Sequence, residues 1–306
     1  MGTVSAVRME TFLAVARHSS IRRAAAQLHI TEAAASAAVA HIEKQLGAKL
    51  IAKSGRGIAL TEAGRIYADY CRSILGLMNE AHAAVQRAET GRLRIGVVAT
   101  AGEYVLLRLL ASFRTRYPDV EVGLSIHPRD VLFLELTHHE TDLVIAGRPP
   151  SDGGLITRAL RPSRLVVVGA PGQFTDSATA TWLLRGKGSG TRDTTLALLD
   201  RLEIAPPTLT LGTHGAVLAA AREGLGITLI HSDAIDSDLV EGSLQLLAVE
   251  GTPLDRPWHA VTTRTPTPTA RLFLEHITDP QAVGAAAFRR CHSERSTSTV
   301  SNRPAR

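Results

Sequence analysis

At 306 residues, with 44% apolar and 21% charged side chains, the chain has the composition of a globular protein of two or three domains, not of a disordered one. Its longest apolar stretches, such as residues 165–170, fall far short of the roughly 20 residues that cross a bilayer, and Arg8 and Glu10 interrupt any secretory signal, so a cytoplasmic protein without membrane contact is expected. The net charge of +5 is uneven: residues 1–90 hold 11 Lys/Arg against 7 Asp/Glu, residues 91–288 hold 18 against 21, and residues 289–306 hold 5 against 1, a basic front end suited to a polyanion.

Met9, Phe12, Leu13 and Ala16 follow the i, i+3, i+4, i+7 spacing of an amphipathic helix. Ser20 is placed to cap a second helix, in which Ala24, Ala25 and Ala26 leave room for a close neighbour. After the turn at residues 28–30, Thr31 caps a third helix that runs through Ala35, Val39 and Ile42 to a stop at Gly47. Two short helices joined by a tight turn, residues 20–39, form the unit that lays one helix in a major groove while the other braces it. Leu50 and Ile51, then Ser54-Gly55-Arg56-Gly57, then residues 58–60 read as a two-stranded wing with Lys53 and Arg56 at its tip.

The runs FLAVARHSSIRRAAAQLHITEAAAS, IEKQLGAKL and SGRGIALTEAG resemble the LysR-type transcriptional regulators. The resemblance continues through GRLRIGVVATAGEYVLLRLLASFRTRYPDV to REGLGITLI and covers roughly residues 5–277. It implies a multidomain fold: an all-α winged helix-turn-helix DNA-binding domain (residues 5–62), a linker and dimerisation helix (63–90), and an α/β effector-binding domain of two subdomains like a periplasmic binding protein (91–288). Residues 289–306 lack apolar periodicity and are expected to be a disordered tail. The expected partners are double-stranded promoter DNA, a small anionic effector and further copies of the chain, as homodimer or homotetramer. The expected DNA-contacting set is Ser20, Arg22, Arg23, Thr31, Glu32, Ala34, Ser36, Lys53 and Arg56. Where family members open the recognition helix with Ser-Gln-Pro-Ala and continue with Ser-Arg-Gln, this chain has Thr31-Glu32-Ala33-Ala34 and Ser36-Ala37-Ala38. Glu32 either accepts from a cytosine amino group or serves the helix N-terminus. The alanines shift the expected contact towards phosphates held by Arg22, Arg23, Lys53 and Arg56.

Thr61 is placed to cap a long helix to about Glu89, with Ala63, Tyr67, Tyr70, Ile74, Leu77, Ala81, Ala84 and Ala88 forming a heptad seam. From Leu93 onwards short apolar runs alternate with helical stretches, the mark of an α/β domain with a mostly parallel sheet. Ligands gather beyond the carboxyl ends of such strands. Thr100 and Ala101 follow one strand at a helix start, where Thr100 serves as effector contact, as N-cap, or as both. The loop Gly186-Lys187-Gly188-Ser189-Gly190-Thr191-Arg192 precedes another helix, and its free N–H groups and side-chain donors suit a carboxylate or phosphate. Thr100, Ala101, Arg148, Ser189, Gly190, Thr191, Arg192, Thr213 and His214 are the expected effector-binding residues. No cofactor, metal or catalytic residue is expected: His138-His139-Glu140 with Asp142 lacks the i, i+4 histidine spacing of a metal site, and Cys71 and Cys291 read as free thiols. The competing reading is a small-molecule binding protein or enzyme whose helical front end serves only assembly.

Overall fold

The computed structural model describes residues 4–55, 57–151, 154–172 and 176–291. Three helices open the chain: α1 (Ala6–His18), α2 (Ile21–Gln27) and α3 (Glu32–Leu46). The hydroxyls cap as their positions predict. Arg23 N–H donates to Ser20 Oγ at 3.3 Å, and Ala34 N–H donates to Thr31 Oγ1 at 3.1 Å. Gly47 closes α3 with φ of 66°, a left-handed turn that glycine adopts without strain. The wing follows as β1 (Ile51–Ser54) paired antiparallel with β2 (Gly57–Leu60). It is tied to the helices at both ends: Ile58 N–H donates to Ser19 O, and the carboxylate of Glu43 on α3 accepts from Lys49 Nζ (2.7 Å), Leu50 N–H (2.9 Å) and Ile51 N–H. Burial alone would raise the Glu43 pKa, but these donors outweigh it and hold the carboxyl below its ordinary range.

Helix α4 (Glu62–Ala84) starts inside this first domain rather than beyond it. Ala68 and Cys71 are buried in one cluster with Phe12, Val15, Ala24, Val39, Ile42 and Leu50. Thr61 caps α4 by accepting from Gly64 N–H at 2.9 Å, and Gly64 lies so close to the wing that a Cβ there would stand 2.0 Å from Leu50 O. The helix ends at Ala84, earlier than the expected Glu89, because Val85 and Gln86 bond back over three-residue turns to His82 and Ala83. The expected seam also divides. Ala63 and Tyr67 pack on the first core, whereas Tyr70, Ile74 and Leu77 are exposed together with Ile66 and Met78.

The remainder forms two α/β lobes. The first contains β3 (Arg92–Val97), α5 (Ala99–Ala101) running through a π-helical turn into α6 (Leu107–Arg116), β4 (Glu121–Ile126), α7 (Arg129–Thr137), β5 (Leu143–Ala146) and β6 (Ile156–Arg161). The chain then builds the second lobe from β7 (Arg164–Gly169), β8 (Trp182–Leu184), α8 (Gly190–Arg201), β9 (Thr208–Thr210), α9 (His214–Arg222), β10 (Thr228–His231), α10 (Asp236–Glu241), β11 (Gln245–Leu247) and β12 (Leu254–Asp255). It returns to the first lobe with β13 (Trp258–Thr262), α11 (Pro268–Ile277), α12 (Pro280–Val283) and β14 (Arg289–Arg290).

The first sheet has the order β14-β6-β13-β5-β3-β4, and both its faces are covered, by Leu106, Leu109, Phe113 and Phe273 on one side and by Leu132, Phe133 and Leu136 on the other. That is why all four residues of β5 are buried. The expected mostly parallel sheet is corrected: β3 pairs parallel with β4 and β5, but the returning β13 runs antiparallel to β5 and β6, and β7 of the second lobe pairs antiparallel with β10, β11 and β12. The strands that return from the second lobe, β13 and β14, both run antiparallel to their neighbours. The expected disordered tail is corrected at its start as well. Phe288 is buried, Arg289 and Arg290 pair with β6, and Cys291 N–H donates to Arg158 O; residues 292–306 lie outside the described residues. Among the described residues no helix is long and apolar enough to cross a membrane.

Gly64→Ala forces a methyl into the Leu50 carbonyl and is expected to destabilise the N-terminal domain by about 1–3 kcal/mol, read as a lowered denaturation midpoint. An unchanged midpoint would show that α4 is not locked to the wing.

Candidate functional site

Two segments join the lobes, and they lie side by side. Arg161 of β6 registers with Trp258 of β13, Arg164 of β7 with Asp255 of β12, and between them Arg256 N–H donates to Ser163 O at 2.8 Å. This paired crossing forms the back of a cleft of about 310 Å³, whose walls come from both lobes. Val98, Ala99, Thr100, Ile126, Pro128 and Gly147 contribute from the carboxyl ends of β3, β4 and β5. Residues 185–191 contribute from the opposite side, and His231, Arg256 and Trp258 close the back.

Thr100 is buried, and Arg185 Nη1 reaches across to its Oγ1 at 3.4 Å. Ser189, Gly190 and Thr191 also line the cleft, and Ser189 Oγ is buried without a hydrogen-bond partner. The other expected residues lie outside the lining. Ala101 is fully buried in the core of the first lobe, so its side chain cannot meet a ligand. Arg148 lies outside the lining and offers its carbonyl to Arg129 Nη1 at 3.4 Å. Arg192 Nη1 donates to Arg185 O and Thr210 Oγ1, bracing the loop from beneath. Thr213 caps α9 by accepting from Ala216 N–H, and His214 is buried edge-on against Tyr104 of the π-helical turn, its Nε2 without a partner.

The cations that define the cleft were mostly missed in the sequence. Arg129, Arg185, Lys187 and Arg256 line it, and no described lining residue is an Asp or Glu. Burial lowers the proton affinity of Arg185 and Arg256, and at Arg256 the like charge of Arg129 lowers it further. Arg185 Nε is buried and has no partner among the described residues. An anion is the chemical complement of such a set, since it relieves the repulsion and satisfies the free donors together. Arg185 directly follows β8, the position the strand-end rule marks; Arg256 sits in the crossing, where no local pattern signals it.

On the N-terminal domain, Arg22, Arg23, Thr31, Glu32, Ala34, Ser36 and Lys53 are all exposed, and Ser20 is half-buried at the start of α2. Glu32 stands in the first turn of α3 and lies 4.0 Å from Arg22, an exposed pair worth little by itself. Arg56 lies outside the described residues. Of the group set aside as metal ligands, His139 bonds Glu80 of α4, and Asp142 receives Arg94 through both its backbone and guanidinium groups.

Comparison with known proteins adds the lineage. The family described as "Bacterial regulatory helix-turn-helix protein, lysR family" matches residues 7–65, and "LysR substrate binding domain" matches residues 86–281. The chain is 34% identical to the HTH-type transcriptional regulator CbbR of Rhodospirillum rubrum, over 83% of this chain and 88% of that one. It is 32% identical to the RuBisCO operon transcriptional regulator of Acidithiobacillus ferrooxidans, over 90% and 94%. Among solved structures, the regulatory domain of CcmR from Synechocystis PCC6803 in complex with 2-PG is similar, with a TM-score of 0.55 and 26% identity, over 60% of this chain and 94% of that one.

The buried histidines generate a pH prediction. Burial, aided by Arg185, takes the His214 pKa down to about 4, and burial, opposed by Asp233, takes His231 down to about 3. Below pH 6.5 the unfolded chain therefore takes up protons that the folded chain refuses. Stability should be full above that pH and fall as the pH drops from about 6.5 towards about 4 for His214 and about 3 for His231, by up to about 1.4 kcal/mol per pH unit for each histidine. A melting temperature that is flat over this window would contradict the neutral, buried assignment.

Proposed function

The chain belongs to the LysR family of DNA-binding transcriptional regulators, and on that premise we propose that a small anion bound between its lobes sets how it engages promoter DNA. The observation that carries the reading is the convergence of Arg129, Arg185, Lys187 and Arg256 on a cleft without a lining carboxylate. In this reading Thr100, Ser189, Gly190 and Thr191 contribute hydrogen bonds to the anion, while Ala101, Arg148, Arg192, Thr213 and His214 shape the wall behind. The 2-PG held by the CcmR regulatory domain supports a small molecule in this role. The curated relatives are transcriptional regulators, which sets the enzyme reading aside.

For DNA, the exposed face of α3 enters the groove with Ala34 and Ser36, and Arg22, Arg23, Lys53 and Arg56 meet phosphates. Ser20 and Thr31 act as caps that aim their helices, and Glu32 serves the α3 N-terminus and Arg22 rather than a base. The exposed stripe of Ile66, Tyr70, Ile74, Leu77 and Met78 on α4 supports pairing with a second copy, as a homodimer or homotetramer in the cytoplasm.

Gel-shift titration of the full chain on its own upstream DNA tests this. Affinity should fall linearly with the logarithm of salt, and Lys53→Ala should reduce that slope by about 1. Adding 2-PG or 3-phosphoglycerate should alter the shift pattern. Thr100→Ala, Thr191→Ala and Arg185→Gln should each weaken that response about tenfold or more, with DNA affinity in the absence of the anion near normal. A response unchanged in all three variants would remove the cleft from the account.

A further inference from the structure

At the back of the cleft His231 stacks on Trp258, ring centroids 4.1 Å apart and planes 25° from parallel. Behind them lies the Asp233 carboxylate, which accepts from Arg161 Nη1 at 2.6 Å, from Ser163 Oγ at 2.7 Å and from Trp258 Nε1 at 2.9 Å. Burial alone would raise the Asp233 pKa, but these donors reverse the direction and keep it ionised. An ionised carboxylate only accepts, so the single hydroxyl proton of Ser163 is committed to Asp233. Ser163 Oγ then has only lone pairs to offer His231 Nδ1, 3.1 Å away, and Nδ1 must carry the ring proton. His231 is 5% exposed in a neighbourhood of arginines, and burial takes its pKa down to about 3, so the ring is neutral. Its other nitrogen, Nε2, is left as a bare acceptor, and no described group bonds it.

With Nδ1 turned back to the crossing, Nε2 is the polar atom that His231 keeps for the cleft it lines. Every charged side chain in the described lining of the cleft is a donor: Arg129, Arg185, Lys187 and Arg256. We infer that His231 is a specificity residue that selects, among small anions, those bearing a hydroxyl group beside their charged ends, because its Nε2 accepts the proton of that hydroxyl. Ser163 is the positioning residue, acting through the tautomer it imposes. The inference rests on the anion-binding reading of the cleft and names the ligand class more closely: a hydroxylated phosphate or carboxylate rather than a plain oxoanion.

Two measurements on the full chain test it. In calorimetric titration, 3-phosphoglycerate should bind about tenfold more tightly than its 2-deoxy analogue, 3-phosphooxypropionate. His231→Phe keeps an aromatic ring over Trp258 and should bring the two affinities within about twofold, and Ser163→Ala should shrink the ratio in the same direction. Equal affinities in the unsubstituted protein would overturn the role of His231 while leaving the anion cleft standing. No binding of either compound at millimolar concentration would instead remove the anion reading and the inference with it. Independently of any ligand, nitrogen-15 spectra of histidine-labelled protein at pH 7 should show His231 protonated at Nδ1 alone, with Ser163→Ala giving a tautomer mixture. A ring protonated at Nε2, or at both nitrogens, would overturn the inference outright.

Discussion

Arg129, Arg185, Lys187 and Arg256 gather where two lobes meet, and at Arg256 burial and the like charge of Arg129 both work against the charged form. On the proposed reading, a bound anion would offset that cost. The paired crossing supplies the stiffness. Arg256 is fixed by its backbone bond to Ser163 and by Nη1 donation to Thr194 Oγ1 on α8, while Asp233 binds residues of both crossing strands and the end of the second lobe into one network. Tyr104 against His214 makes a further contact between lobes, directly behind the Arg185 wall.

Helix α4 joins the N-terminal domain to the first lobe. Its first half is part of the N-terminal core through Ala68 and Cys71, and its second half rests on the first lobe. At Gly76 the approach is so close that a Cβ would stand 2.1 Å from His138 O, and Glu80 bonds both His139 and Thr265 Oγ1. Arg72 lies 3.9 Å from Glu140 on the same joint. On the other side the Thr61–Leu50–Gly64 contact ties the start of α4 to the wing, and Glu43 ties the wing to α3.

Much of this was legible because it rests on local rules. Ser20, Thr31 and Thr61 precede apolar runs, and each caps the helix its position marks; the four-residue β5 shows as an uninterrupted apolar run because both sheet faces are covered. The loop of residues 186–192 also advertised itself by glycines ahead of a helix. What stayed hidden depends on contacts distant in sequence. Arg256 reaches the cleft only because β12 and β13 cross between lobes, and His231 gains a fixed tautomer only because Ser163 and Asp233 arrive from different segments. The end of α4 was overestimated because the apolar periodicity continues past Ala84 while the backbone turns away. The antiparallel return of β13 was likewise invisible, since periodicity reports that a strand exists and not its direction.

An anion held by the arginines of the cleft would stabilise the fold that holds it. Thermal melting of the full chain with increasing 3-phosphoglycerate, beside the Arg185→Gln/Arg256→Gln double variant, tests this most directly. The melting temperature should rise with the logarithm of ligand concentration above its dissociation constant, with little or no rise in the double variant. An equal rise in both proteins, or stabilisation of the unsubstituted chain by neutral or cationic compounds but by no anion, would contradict it.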